Sequence, residues 1–349
     1  MDIAKLSDEE LLALRMCDLP ISPDSNGLKD CIEQLYQELD EKGIQFKPVC
    51  YLADEWLTPD REPVVGIPFF LAHSALMKLE KKMMFEVEGG TRPWCMQLLR
   101  HETGHAINYA YKLYRRKKWQ KMFGFITVPY EDTYGFRAYS KNYVRHLKDY
   151  YAQCHPDEDF AETFAVWLTP GLNWIEMYKG WKAREKLNYV DSVLQEIKGD
   201  QPLVDKGKKY WEVRKSHVTL HNHYKKKQRY FAEDLPDFHD RQLEKIFTRV
   251  ELSSYQGDMK KNKEKIPFAA PLLRQYRKHI VRSVSRCTRE KKYVIDNLLR
   301  KIIKRCSLLN FVITEPESIV LLNVTTYITT LIMNSVYTGR YQGAECVKN

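Results

Sequence analysis

Apolar and polar positions alternate along the chain with two different periods. Ser7-Asp-Glu-Glu10 has the form of a capping box and predicts a short helix after it. Helical spacing of apolar residues predicts a second helix over Leu28–Glu41, with Gly43 just beyond its end. Two strand-like runs follow, Lys47–Trp56 and Glu62–His73, rich in β-branched and aromatic residues and separated by the turn-like TPDREP. Pro63 and Pro68 place the second run at a sheet edge, or leaving the sheet. From Thr91 the pattern turns helical. One helix is expected from about Pro93 into the basic YRRKKWQKM, then loops to about Ser140, helical spacing to Tyr151 and a further helix that begins with HPDEDFAETFAVWL (His155–Leu168). Beyond Gly199 the chain is polar, basic and helical, with helices expected near 237–250, 270–285, 289–307 and 317–337.

This order of elements predicts an α+β fold: a domain over 1–200 holding a small sheet with an edge strand, then a mainly helical region over 201–349. Charge marks the same division. Residues 201–310 hold 28 Lys+Arg against 12 Asp+Glu, whereas residues 1–200 hold 26 against 31. The stretch Ile319–Gly339 carries no charge and is about long enough to span a bilayer. Its asparagines, threonines and serine predict a buried helix instead, with no membrane. The acidic start MDIAKLSDEELLALRM is not of signal-peptide type, and the eight cysteines form no C-x-x-C pair. Reduced thiols and a cytoplasmic location are the expectation.

Within the motif helix, LLRHETGHAINYAYKL contains His101-Glu102-Thr103-Gly104-His105. At 100° per residue the two histidines lie 40° apart on one face, while Leu99, Ala106 and Ala110 form an apolar back. Neutral imidazoles at this spacing suit Zn²⁺, which lowers the pKa of a bound water toward about 7. A carboxylate beside that water, here Glu102, can act as general base. Gly104 costs a helix about 1 kcal/mol relative to alanine, so it needs a packing reason.

Two histidines do not make an enzyme site, and a third ligand is required. The position six residues past His105 is Tyr111, which excludes the metzincin pattern. Downstream candidates are His146, His155, Asp157, Glu158, Asp159 and Glu162. In EDFAE, Glu158 and Glu162 share one helix face, so one can bind metal while the other holds a ligand histidine. Asp157, Glu158 and Asp159 also suit the positive end of a helix that begins at Pro156. His146 and His155 are expected at the surface.

H-E-T-G-H followed by E-D-F-A-E-T-F resembles the paired motifs of gluzincin metalloproteases of the anthrax lethal factor type. More closely, LADEW, VEGGTR, LLRHETGHAINYAYKL and HPDEDFAETFAVWLTP resemble a bacterial family of zinc-binding metallopeptidases, over roughly Val49–Tyr189. The resemblance implies a zincin-like domain in which His101, His105 and Glu158 bind zinc and Glu102 is the base. It further implies that Glu162 supports a ligand histidine, and that Tyr151, seven residues before Glu158, stabilises an oxyanion. Tyr150 competes for that last role. Such enzymes bind an extended peptide along an edge strand, for which VVGIPFFLA is the candidate.

The basic runs Tyr224–Tyr230, Lys260–Lys265 and Arg274–Lys292 suit either solvated helix faces or an acidic partner or nucleic acid. His217, His221 and His223 lie close enough in sequence for a second metal site. A zinc-dependent peptidase acting on a peptide or protein is the leading expectation. The alternatives are a nucleic-acid- or acidic-partner-binding protein with a zinc domain, and a zinc amidohydrolase acting on small modified peptides.

Overall fold

The computed structural model describes residues 2–25, 27–130, 136–137, 139–148, 150–230, 235, 237–250, 267–338 and 341. The basic run Lys260–Lys265 lies outside them. Two compact units result, Met1–Lys227 and Gln228–Asn349. The division thus falls later than the charge shift near residue 200. Backbone pairing is the reason: Met16 and Cys17 donate to the carbonyls of Val218 and Ser216, and Leu220 donates to Leu14. Ala53 also bridges to Glu212, so the segment after 200 is stitched to the first unit whatever its charge.

The first unit runs α1 (Asp8–Ala13), α2 (Leu28–Glu41), β1 (Val49–Ala53), β2 (Val64–Pro68), α3 (Ser74–Met84), α4 (Arg92–Ala110), α5 (Lys117–Phe123), α6 (Pro156–Leu168), α7 (Trp174–Met177), α8 (Ala183–Glu196) and most of α9 (Leu220–Tyr230). The capping box forms: Ser7 Oγ accepts from the Glu10 amide at 3.2 Å, and Glu10 Oε2 accepts from the Ser7 amide at 2.8 Å.

β1 and β2 are parallel, with Val49 opposite Val64 and Ala53 opposite Pro68. The expected open edge on β2 is not there. Leu57, in the β1–β2 connection, exchanges both backbone hydrogen bonds with Gly66, and the Val64 amide donates to the Glu62 carbonyl. Pro68 has no amide, so Val64–Pro68 offers a peptide no outward N–H. A Cβ at Gly66 would come within 2.5 Å of the Leu57 side chain, which is why the connection can lie so close.

α4 departs from expectation in two ways. It stops at Ala110, where Lys112 takes a left-handed conformation (φ 52°), and the basic run forms the separate α5. It is also buried on every side, without a break from Leu98 to Ala110, rather than showing an apolar back and an open front. The described residues between 140 and 150 are bends and turns rather than helix, followed by a single 3₁₀ turn at Tyr151–Gln153.

Two contacts fix α4. Arg100 donates from Nε and Nη2 to the two oxygens of Glu38 on α2, at 2.8 and 2.7 Å. Breaking such a buried fork by removing one partner costs about 3–5 kcal/mol. On the other side α4 crosses α6 at Gly104, where a Cβ would lie 2.8 Å from Ala161 Cα and 3.0 Å from its carbonyl. The mid-helix glycine is the contact point that brings the two helices together.

The second unit contains α10 (Asp240–Leu243), β3 (Thr248–Arg249), α11 (Ala269–Thr288), α12 (Lys292–Leu308), β4 (Phe311–Val312) and α13 (Glu317–Thr338). The helix expected over 237–250 is reduced to one turn, because Thr248–Arg249 pairs antiparallel with β4. The stretch Glu317–Tyr337 is long and apolar enough to cross a membrane. It is not buried all round: Val320, Val324, Ile328 and Ile332 face the core, while Leu322, Val336 and Tyr337 are exposed. The described residues therefore make a helix-rich α+β protein with two small sheets.

Candidate metal centre

His101 and His105 sit one turn apart on α4, facing α6 where Gly104 and Ala161 meet. Glu158, in the first turn of α6, points between them. Its Oε2 lies 3.1 Å from His101 Nε2 and 3.2 Å from His105 Nε2. One ligand atom from each of the three residues falls within 4.8 Å of the others, and all three side chains are buried. This group could hold a metal ion through three protein donors.

The far nitrogen of each ring is held as well. His101 Nδ1 donates to Glu162 Oε1 at 3.0 Å, and His105 Nδ1 donates to Asp157 Oδ2 at 2.9 Å. These bonds fix both tautomers so that each Nε2 faces the site. The carboxylates are themselves anchored. Glu162 Oε2 accepts from the Leu147 and His146 amides at 2.9 and 3.3 Å. Asp157 accepts from Asn108 Nδ2 at 2.8 Å and from the Tyr109 hydroxyl.

Electrostatics follow from this packing. Burial alone would depress the His101 pKa, but Glu158 and Glu162 outweigh it and raise it to about 10. For His105, too, burial works against the charged form and is outweighed by Asp157 and Glu158, which push it well above the ordinary value. Burial also opposes ionisation of Glu158, yet the two imidazoles hold it far below the carboxylate range. Without a metal ion the carboxylates on each side therefore favour the protonated form of both rings. A divalent cation can take the place of the Nε2 protons without disturbing the outer bonds.

Glu102 is buried and ligates nothing in this arrangement. Burial raises its pKa above the ordinary value, partly offset by His101 and His105. Its carbonyl accepts from Thr58 Oγ1 at 2.9 Å, which fixes the β1–β2 connection over this turn of α4. The Tyr151 ring lies against His101, with centroids 5.7 Å apart. Tyr150 stacks on Phe136 instead, at 5.0 Å.

Several residues play parts that the sequence did not reveal. Asp157 was one of several ligand candidates, but it holds His105 rather than offering a ligand atom. Tyr130, in the loop after α5, donates to Glu158 Oε1 at 3.0 Å and stacks on His155 at 3.8 Å. Asn108, a wholly buried amide on the motif helix three residues past His105, was a readable signal of a polar partner. His155 is not at the surface: it is buried, caps α6 by accepting from the Asp157 amide, and meets the Val128 carbonyl through Nε2 at 2.7 Å. His146 is half-buried and meets the Gln97 carbonyl at 2.9 Å. The second histidine cluster does not assemble, since His217 meets Cys17 and His223 packs edge-on to Phe69.

No protein-family model, no curated protein and no solved structure matches this chain, so the functional reading rests on its own residues.

Proposed function

We propose that this chain is a zinc-dependent metallopeptidase of gluzincin type, cytoplasmic, with a zincin-like arrangement in its first unit. One observation carries the reading: a buried Glu102 stands beside a His101–His105–Glu158 group that offers three protein ligands, one short of a closed structural zinc site. A structural zinc site closes on four protein ligands and has no use for a neighbouring carboxylate. Two histidines and a carboxylate also suit iron(II) oxygenases. Glu102 favours hydrolysis, because that chemistry requires a base and oxygen activation at iron does not.

The donors fit zinc: two imidazoles with Nε2 turned inward and one ionised carboxylate. When bound there, the ion supplies Lewis acidity toward water and the substrate carbonyl. The chain's own residues do the rest. Glu162 and Asp157 hold the imidazoles in place. Glu102, whose burial raises its proton affinity, takes a proton from the attacking water and passes it to the leaving amine. Tyr151, against His101, is the donor to the developing oxyanion. The substrate does not pair with β2, whose outward amides are already used.

Metal analysis of the purified chain together with cleavage of a random peptide library tests this reading. About one zinc per chain and cleavage abolished by His101→Ala support it. Iron in place of zinc, or no cleavage of any peptide by zinc-loaded protein, overturns it.

A further inference from the structure

Basic residues recur every fourth position along α11: Arg274, Lys278, Arg282 and Arg286, all exposed. Four residues of helix advance about 6 Å, comparable with the step between neighbouring phosphates on a nucleic-acid strand. The opposite face of α11 buries Leu273, Ile280, Val281 and Val284, so packing fixes the basic row on the solvent side. Among the described residues none of these four cations is in an ion pair; Asp296 serves Arg277 and Arg300 instead, at 3.5 and 2.8 Å.

The row starts at a cavity of about 550 Å³ between α11 and α12, lined by Arg274, Arg277, Arg300 and Lys304 over Ile303 and Leu308. Residues 267–313 carry twelve Lys and Arg against two acids, Glu290 and Asp296. Crowding so many like charges on one hairpin is unfavourable unless counterions or a polyanion neutralise them. Arginine predominates in the row and the cavity, and its planar fork matches phosphate oxygens.

We propose that this face of α11 and the adjoining cavity bind nucleic acid through its phosphodiester backbone, without reading sequence. The single-file spacing of unneutralised cations favours a polymer with one charge per unit over the irregular carboxylates of a folded acidic protein. This site stands independently of the metal centre.

The test uses the full chain and a labelled random-sequence DNA duplex, with affinity measured by fluorescence anisotropy between 50 and 200 mM salt. Four phosphate contacts predict a slope of log K against log salt of about −3.6, steeper where the cavity arginines also meet phosphates. The quadruple variant R274Q/K278Q/R282Q/R286Q should lose most of that slope and bind at least tenfold more weakly at 100 mM salt. The double variant R274Q/R282Q should fall between, and K117Q/K121Q in the first unit should match the parent. Absence of binding at 50 mM salt, or a quadruple variant that keeps the parental slope, overturns the proposal. So does polyglutamate that competes as well as the duplex, which would identify an acidic protein as the partner.

Discussion

Asp157 Oδ2 lies 2.9 Å from Nδ1 of His105, while the next residue, Glu158, faces Nε2 of the same ring. Adjacent positions on α6 thus grip one imidazole from both ends. Losing such an outer hydrogen bond typically weakens metal affinity by about 10–100-fold. Asp157→Asn and Glu162→Gln should each show that loss in competition with a chromogenic chelator, with Glu102 intact. Unchanged affinity in both would mean that these carboxylates do not position the rings.

Proton release gives a second prediction. In the metal-free protein both histidines are held as imidazolium, His101 up to about pH 10. Binding a cation at Nε2 must expel those protons, about two per ion at neutral pH. Apparent metal affinity should therefore rise with pH through neutrality. Titration of weakly buffered protein with zinc in a pH-indicating dye measures the release directly. No release at pH 7 would contradict the assigned charges.

Gly104 and Ala161 give a third. A methyl at Gly104 meets Ala161 Cα at 2.8 Å, and that atom belongs to helix backbone and cannot swing aside. Gly104→Ala should lower stability by about 1–3 kcal/mol through overpacking, despite alanine's better helix propensity. Urea unfolding measures it. A variant as stable as the parent would show that α4 and α6 are not in close contact there.

Tyr130 and Tyr151 should separate by kinetics. Tyr130 donates to Glu158, so Tyr130→Phe should weaken metal binding severalfold and, once zinc is saturating, leave kcat little changed. Tyr151→Phe should keep the metal and lower kcat about 100-fold or more, the usual size for a lost oxyanion donor. The reverse pattern would exchange their roles.

The sequence made some of this legible and hid the rest for physical reasons. Local signals sufficed for Ser7–Glu10, for the limits of α2 and for the start of α6, because capping and periodicity are local. His101, His105, Glu158 and Glu162 were readable as two short patterns on two helices. Asp157 was not singled out, because acidic residues in a first helical turn are explained by the helix dipole alone. Tyr130 lies in a loop, where no periodicity constrains it. The break at Lys112 rests on a left-handed backbone, and the covering of β2 rests on Leu57 meeting Gly66 across the sheet. The compact units divide later than the charge shift, because charge reports surface chemistry while Met16, Cys17 and Leu220 tie the segment after residue 200 by backbone pairing.

The central claim, that Glu102 is a base beside a catalytic metal and not a structural carboxylate, is tested most directly by Glu102→Gln. The isosteric amide keeps the packing of α4 but accepts no proton. Zinc content and single-turnover cleavage of a library-derived peptide should be measured on the same preparation. Zinc at the parental stoichiometry with cleavage reduced at least 1,000-fold, about 4 kcal/mol of barrier, is the expected result. Parental cleavage by the zinc-loaded Glu102→Gln protein would contradict it.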